Sequence, residues 1–260
     1  MEIVICKDAR EVGMVAADRL ITHLEGLPTP VIGFATGGSP KALYAELARR
    51  AEEGSFDFSH ALGFALDEYV GIPLEHPESY YSVIRENVVG PLKMDPARVR
   101  VPDGLADDLQ GAADEYDEAI DLAGGVDVQI LGIGSNGHIG FNEPFSSFSS
   151  RTRVKTLTPQ TREDNARFFD SIDQVPTHCV TQGLGTIMDA AVTLMVASGE
   201  NKAQAIADMV EGPVAATCPA SVLQFHPRAI VVIDEAAAAN LKHSDYFRHL
   251  QEVNGVFQRD

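Results

Sequence analysis

The sequence predicts an α/β protein: a single Rossmann-like domain, residues 1–260, with a mainly parallel sheet flanked by helices. Short apolar runs alternate along the chain with longer stretches whose apolar residues recur at helical spacing, and strands interleaved with helices pair in parallel. Two of the runs end in glycine-rich loops, which is where open α/β sheets bind ligands. At 260 residues the chain could hold one large domain or two small ones, but no internal repeat, low-complexity segment or linker divides it.

Glu2 to Cys6 reads as a first or edge strand, and Asp8 as the N-cap of a helix whose Val12, Val15, Ala16, Leu20 and Leu24 share one face. A second strand, 30–35, runs directly into Thr36-Gly37-Gly38-Ser39-Pro40, and a helical pattern, KALYAELARRAEE, follows. A strand, a glycine turn with hydroxyls and a helix form a phosphate-binding arrangement, because free backbone N–H groups and the helix dipole face an anion. Without the lysine of a P-loop the motif points to a phosphorylated small molecule more than to a nucleotide, and a plain turn is the alternative. A third strand, 61–66, carries Asp67, Glu68 and Tyr69 at its end. If the strands are parallel, Asp67 points into the crevice of the glycine loops; otherwise it is a helix cap or a solvated turn residue. The segment GIPLEHPESYYSVIRENVVG reads as a loop and then a helix, and 107–122 as an acidic helix with one solvated side.

The central strand is marked by Val126, Val128, Ile130, Leu131 and Ile133. It leaves through Gly132, Gly134, Gly137 and Gly140, among and after which sit Asn136, His138, Asn142 and Glu143. Glycine lets a substrate approach the backbone closely, so this loop reads as the active site; a structural turn whose histidine caps something is the bland alternative. Gly132, Gly134 and Gly137 also fit a dinucleotide-binding spacing, but HIGFNEPFSSFSS is a poor helix and RVKTLTPQ, about 20 positions on, lacks the required carboxylate. Beyond the site, 151–157 reads as extended and 159–169 as helical. Val192 to Ala197 is a strand, and Lys202 stands at the start of a helix running to about Val210, placed to add charge to an anion site. Ala229 to Ile233 is the last strand, with Asp234 and Glu235 at its end.

Composition narrows the function classes. No stretch approaches the ~20 apolar residues of a membrane span. MEIVICKDAREVG has no basic region ahead of its apolar run, so it is not read as a signal peptide. Cys6, Cys179 and Cys218 are odd in number, far apart and without metal spacing, which points to a reduced, cytoplasmic protein. A formal net charge of −18 argues against nucleic acid or an anionic membrane as partner, and is also compatible with a salty habitat. Against it, Arg151, Arg153, Lys155, Arg162 and Arg167 fall within 17 positions and suggest an anionic ligand, with a solvated charged face as the alternative.

The segments ATGGSP (35–40), LDEYVGIPLEHPESYYS (66–82), GIGSNGHIGFNEP (132–144), SRTRVKTLTPQTREDNARFF (150–169) and VEGPVAATCPASVLQFHP (210–227) resemble the glucosamine-6-phosphate deaminase family (glucosamine/galactosamine-6-phosphate isomerases) over nearly the whole chain. The related 6-phosphogluconolactonases share the glycine turns but not DEYVG with HPESYY, nor GHIGFNEP. The resemblance implies conversion of glucosamine 6-phosphate and water to fructose 6-phosphate and ammonia, in amino-sugar catabolism. It implies Asp67 as the base at carbon 2, and His138 as the proton shuttle for ring opening, with Glu143 orienting or tuning it. Similar enzymes carry aspartate or asparagine where this chain has Asn136, which hydrogen-bonds but takes no proton. The substrate phosphate falls to Thr36, Gly37, Gly38 and Ser39 with Arg167 and Lys202. No metal or organic cofactor is implied, since the carbon acid is activated by its own carbonyl or iminium. Some similar enzymes are hexamers activated by N-acetylglucosamine 6-phosphate, and the matching positions here are Ser146, Arg153, Lys155 and Tyr246, so a homo-oligomer is expected. A sugar-phosphate lactone hydrolase and a non-catalytic sugar-phosphate sensor are the alternatives.

Overall fold

The computed structural model describes residues 1–257. The chain opens with β1 (Glu2–Cys6), and Asp8 caps α1 (Ala9–Leu24) by accepting from the Glu11 amide at 2.9 Å. β2 (Val31–Phe34) and α2 (Lys41–Glu53) follow. β3 (Leu62–Ala65) runs almost directly into β4 (Asp67–Tyr69), and α3 (Tyr80–Ile84) continues as a π-helical turn, Arg85–Val89. Next come β5 (Val99–Arg100), α4 (Leu109–Leu122) and β6 (Val128–Leu131). The rest of the chain supplies β7 (Arg153–Thr156), α5 (Pro159–Asn165), β8 (His178–Thr181) and α6 (Leu184–Met188). It ends with β9 (Val192–Ala197), α7 (Ala203–Val210), β10 (Ala229–Asp234) and α8 (Ser244–Phe257).

Seven strands form one parallel sheet in the order β1-β10-β9-β6-β2-β3-β5. Every residue of β2, β6, β9 and β10 is buried, as expected of a parallel sheet covered on both faces. Because all seven strands run the same way, the loops after β2, β3, β6 and β9 emerge at one edge. The chain works outward from β2 through β3 to β5, and from β6 through β9 to β10, so the order reverses between β2 and β6. That reversal opens a crevice at the strand ends.

The sequence reading has Asp67 at the end of a parallel strand, and the structure refines this. Asp67 opens β4, which belongs to a second, antiparallel sheet in the order β4-β8-β7. Leu66 is the seam. Its N–H still donates to Phe34 of the main sheet at 2.9 Å, while its carbonyl accepts from Gln182, just after β8, at 2.7 Å. The small sheet has no apolar run of its own long enough to announce it, and β8 and the two-residue β5 were not anticipated from the pattern.

Helix α1 packs on α2, and Gly13 allows their close crossing: a Cβ there would stand 2.4 Å from the Ala42 carbonyl oxygen. Backbone cannot yield as a side-chain tip can. Gly13→Ala is therefore expected to destabilise the fold by about 1–3 kcal/mol, read as a lower denaturant midpoint at unchanged slope.

Candidate active site

A cavity of about 660 Å³ occupies the crevice. Thr36, Gly37, Gly38 and Ser39 form its wall beyond β2, and no side chain caps the start of α2, which reaches the cavity through Lys41 and Ala42. The Tyr44 hydroxyl braces this turn by donating to the Ala35 carbonyl at 2.7 Å and accepting from the Ala35 amide at 3.1 Å. Opposite stand Ser198, Asn201 and Lys202, after β9. Burial, and then the nearby Arg167, hold the Lys202 ammonium below the ordinary lysine range.

The five basic residues of 151–167 do not act as one patch. Arg151 pairs with Asp189 at 2.5 Å and with Asp117 at 3.5 Å, and Arg162 donates to the carbonyls of Ile172 and Val175. Of the five, Arg167 lines the cavity. The clustering in sequence is a short β7 followed by a helix, whose faces point different ways.

Asp67 lines the cavity yet is only 5% exposed. Burial, followed by the charge of Glu68, pushes its carboxyl up to about 8, against a bond from the Phe141 amide that works the other way. The glycine loop comes close above it. A Cβ on Gly140, whose φ is +53°, would meet Thr181 Oγ1 at 3.1 Å and Asp67 Oδ2 at 3.5 Å.

His138 lines the same cavity, while Asn136 and Glu143 stand behind it, off the wall. The direct separation of His138 Nδ1 from Glu143 Oε2 is 3.8 Å, and Asn136 bridges the gap. The ionised carboxylate only accepts, so Asn136 Nδ2 donates to Glu143 Oε2 at 2.8 Å, and Asn136 Oδ1 must accept from His138 Nδ1 at 2.7 Å. This assigns the proton of a neutral ring to Nδ1 and leaves Nε2 without a partner among the described residues. Burial holds the imidazole below its ordinary range, against the opposing pull of Glu143. Burial alone would raise the Glu143 carboxyl; bonds from Thr161, Asn136 and Thr158 bring it below the usual value.

Those threonines matter for geometry. Glu143 Oε1 accepts from Thr161 Oγ1 at 2.5 Å and from Thr158 Oγ1 at 3.1 Å, tying it to the first turn of α5. At the other end of α5 lie Asp164 and Asn165, and Arg167 follows, all on the cavity wall. One carboxylate thus fixes both the histidine and the segment carrying Arg167.

The remaining predicted residues lie elsewhere. Ser146 is buried and its hydroxyl donates to the Glu143 carbonyl at 2.7 Å. Arg153 and Lys155 are partly buried on β7, and Tyr246 is 57% exposed on α8, which packs against the edge strand β1. None of the four lines the cavity. Sequence reasoning missed Lys41, Tyr80, Asp164, Asn165, Ser198 and Asn201, which do. Ser198 and Asn201 flank the end of a parallel strand beside Lys202, a signal that was available; Asn165, inside an ordinary helical pattern, gave none.

Residues 8–232 match the family of glucosamine-6-phosphate isomerases and 6-phosphogluconolactonases. The chain is 56% identical over 255 residues to the glucosamine-6-phosphate deaminase of Cutibacterium acnes, covering 98% of each chain. It is similar in structure to a monomeric glucosamine-6-phosphate deaminase, with a TM-score of 0.90 and 39% identity over 92% of this chain and 100% of that one. A 6-phosphogluconolactonase from Trypanosoma cruzi shares the fold at a TM-score of 0.75 and 19% identity, over 93% of this chain and 97% of that one.

Asp67 binds its proton more tightly in the folded chain than in the unfolded one. Its contribution to stability is complete below the ordinary aspartate value of 3.8 and is lost as pH rises through about 8. Asp67→Asn, which mimics the protonated form, is expected to melt a few degrees above wild type at pH 8 and level with it near pH 4, by calorimetry across that range.

Proposed function

The chain belongs to the family of glucosamine-6-phosphate isomerases and 6-phosphogluconolactonases, and we propose that it is the deaminase: it converts glucosamine 6-phosphate and water to fructose 6-phosphate and ammonia. The observation that carries this reading is the pairing of a buried, proton-avid Asp67 with a neutral His138 in one cavity. Moving a proton between adjacent carbons needs a base of that kind, and opening a sugar ring needs a group that passes protons near neutrality. Lactone hydrolysis needs no carbon base, and the likeness to the lactonase is one of fold alone.

In this reading the phosphate sits on the turn Thr36 to Ser39, between Arg167 and Lys202, where backbone N–H groups and two cations meet its charge. His138 Nε2 then exchanges a proton with the ring oxygen and hydroxyl, while Asn136 and Glu143 keep Nδ1–H engaged and the ring in place. Asp67 takes the carbon 2 proton and returns it to carbon 1; water then adds to the carbon 2 iminium, and the amine leaves as ammonia as the carbon 2 carbonyl forms. The ammonium group of the bound substrate favours the ionised form of Asp67. The carbon acid is activated by its own carbonyl or iminium, so no metal or organic cofactor enters the scheme. With Asn136 in the relay, no proton can be lodged between His138 and Glu143, and His138 carries the proton itself.

We further infer one catalytic domain spanning 1–260, in the cytoplasm, in keeping with three buried free thiols. Activation by N-acetylglucosamine 6-phosphate, at an interface between copies of a homo-oligomer, would use Ser146, Arg153, Lys155 and Tyr246. Ser146 offers a direct route inward, since its hydroxyl holds the carbonyl of Glu143.

Two assays test the reading. Wild type is expected to release ammonia and fructose 6-phosphate from glucosamine 6-phosphate, and Asp67→Asn to bind substrate but turn over about 10²–10⁴-fold more slowly; an inert wild type, with or without the activator, would refute the deaminase. For the regulation, N-acetylglucosamine 6-phosphate is expected to lower the half-saturating substrate concentration of wild type but not of Arg153→Ala. Hyperbolic kinetics indifferent to that ligand in both proteins, together with a monomer mass like that of the solved relative, would remove the activator site.

A further inference from the structure

Glu68 is 1% exposed and, among the described residues, has no cationic partner. It is satisfied by backbone alone. Oε1 accepts from the amides of Tyr69 at 2.7 Å and Tyr80 at 2.9 Å, and Oε2 from Tyr81 at 2.8 Å. Tyr80 and Tyr81 are the first two residues of α3, and the third amide, of Ser82, goes to Ser79 Oγ at 3.1 Å. The start of α3 is thus fastened to β4 by one carboxylate.

This fastening bears on the cavity twice. Side chains of a strand alternate, so Asp67 turns to the cavity and its neighbour Glu68 to the helix. Tyr80, held by its amide, lines the cavity, with its ring stacked on Phe141 at 5.9 Å between centroids and tilted against Tyr69 at 4.9 Å. The titratable groups facing Asp67 from the surrounding elements are Tyr69 on β4, Tyr80 on α3, Tyr116 on α4 and Cys179 on β8, each kept neutral by burial. His138 across the cavity is held toward its neutral form as well. Burial raises the Glu68 carboxyl above the ordinary glutamate range, while the bonds from the Tyr80, Tyr81 and Tyr69 amides work the other way and favour the carboxylate; ionised, Glu68 is the negative charge beside Asp67.

We propose that Glu68 is a positioning residue for the reaction: it sets the Tyr80 wall of the cavity through the start of α3, and its negative charge keeps Asp67 ready to accept a proton. The inference rests on the deaminase reading of the site. A glutamine at 68 has one acceptor oxygen in place of two and no charge, so it strands an amide of α3 and weakens the base together.

The test is the pH dependence of ammonia release by wild type, Glu68→Gln and Glu68→Asp. In Glu68→Gln the acid limb of kcat/KM is expected to move to lower pH, with kcat down on the order of tenfold to a hundredfold. Glu68→Asp, charged but too short for both helix amides, is expected to lose kcat while keeping the limb near its wild-type position. A purely structural role would lower the folded fraction without moving the limb, and a folded Glu68→Gln with the wild-type limb overturns the proposal. Should Glu68→Gln fail to fold, carboxyl ¹³C titrations decide. In wild type the Glu68 carboxyl must stay ionised through the whole range in which Asp67 takes up its proton, and a Glu68 that titrates together with Asp67 or above it overturns the proposal. Because that arm needs no turnover, a wild type that releases no ammonia counts against the deaminase reading alone.

Discussion

Leu66 divides its two backbone bonds between two sheets, and the site depends on that division. Its N–H belongs to the parallel sheet and its carbonyl to the antiparallel one, so the chain turns out of the main sheet at the next residue. Asp67 is thereby held at the joint, where the ends of parallel strands supply loops on one side and β8 closes the other. A carboxylate at the tip of an ordinary parallel strand would be washed by water. At this joint it is buried, without a cationic partner among the described residues, and keeps its proton to a pH at which free aspartates are fully ionised. The same burial is destabilising whenever the group ionises, so the site draws on stability provided by the buried strands around it.

The histidine is built the opposite way, through a chain of polar contacts. Asn136 converts what would be a loose 3.8 Å pair into two good hydrogen bonds, and Glu143 is in turn gripped by two threonines at the start of α5. Each partner has its donor and acceptor roles forced by the next, beginning from a carboxylate that can only accept. The relay leaves one nitrogen of His138 uncommitted. It also makes the arrangement of α5 and the state of the histidine depend on a common residue.

Much of this was legible in the residues. The glycine loops after β2 and β6 declare themselves because close backbone approach needs glycine, and a parallel sheet puts both at one edge. Lys202 is legible for the same reason, at the end of β9. Of the antiparallel sheet only β7 was, within the extended stretch 151–157, since β4 and β8 are three and four residues long and owe their burial to the rest of the chain. Asn165 and Tyr80 were not, because what brings them to the cavity is the docking of α5 and α3, which a local pattern does not encode. The basic run 151–167 misled in a simple way: adjacency in sequence is not adjacency in space when a strand and a helix share it.

Charge adds a last constraint. A chain of net charge −18 repels an anionic sugar phosphate at long range, yet three cations, Lys41, Arg167 and Lys202, line the cavity with Asp164 as their counterweight. Long-range repulsion between solvated charges is damped within a Debye length of about 8 Å at physiological ionic strength, whereas contacts inside a cavity are damped much less. Salt therefore removes more of the opposing term than of the favourable one. The acidic surface acts mainly on the approach of the ligand, and the few cations at the strand ends determine whether it stays.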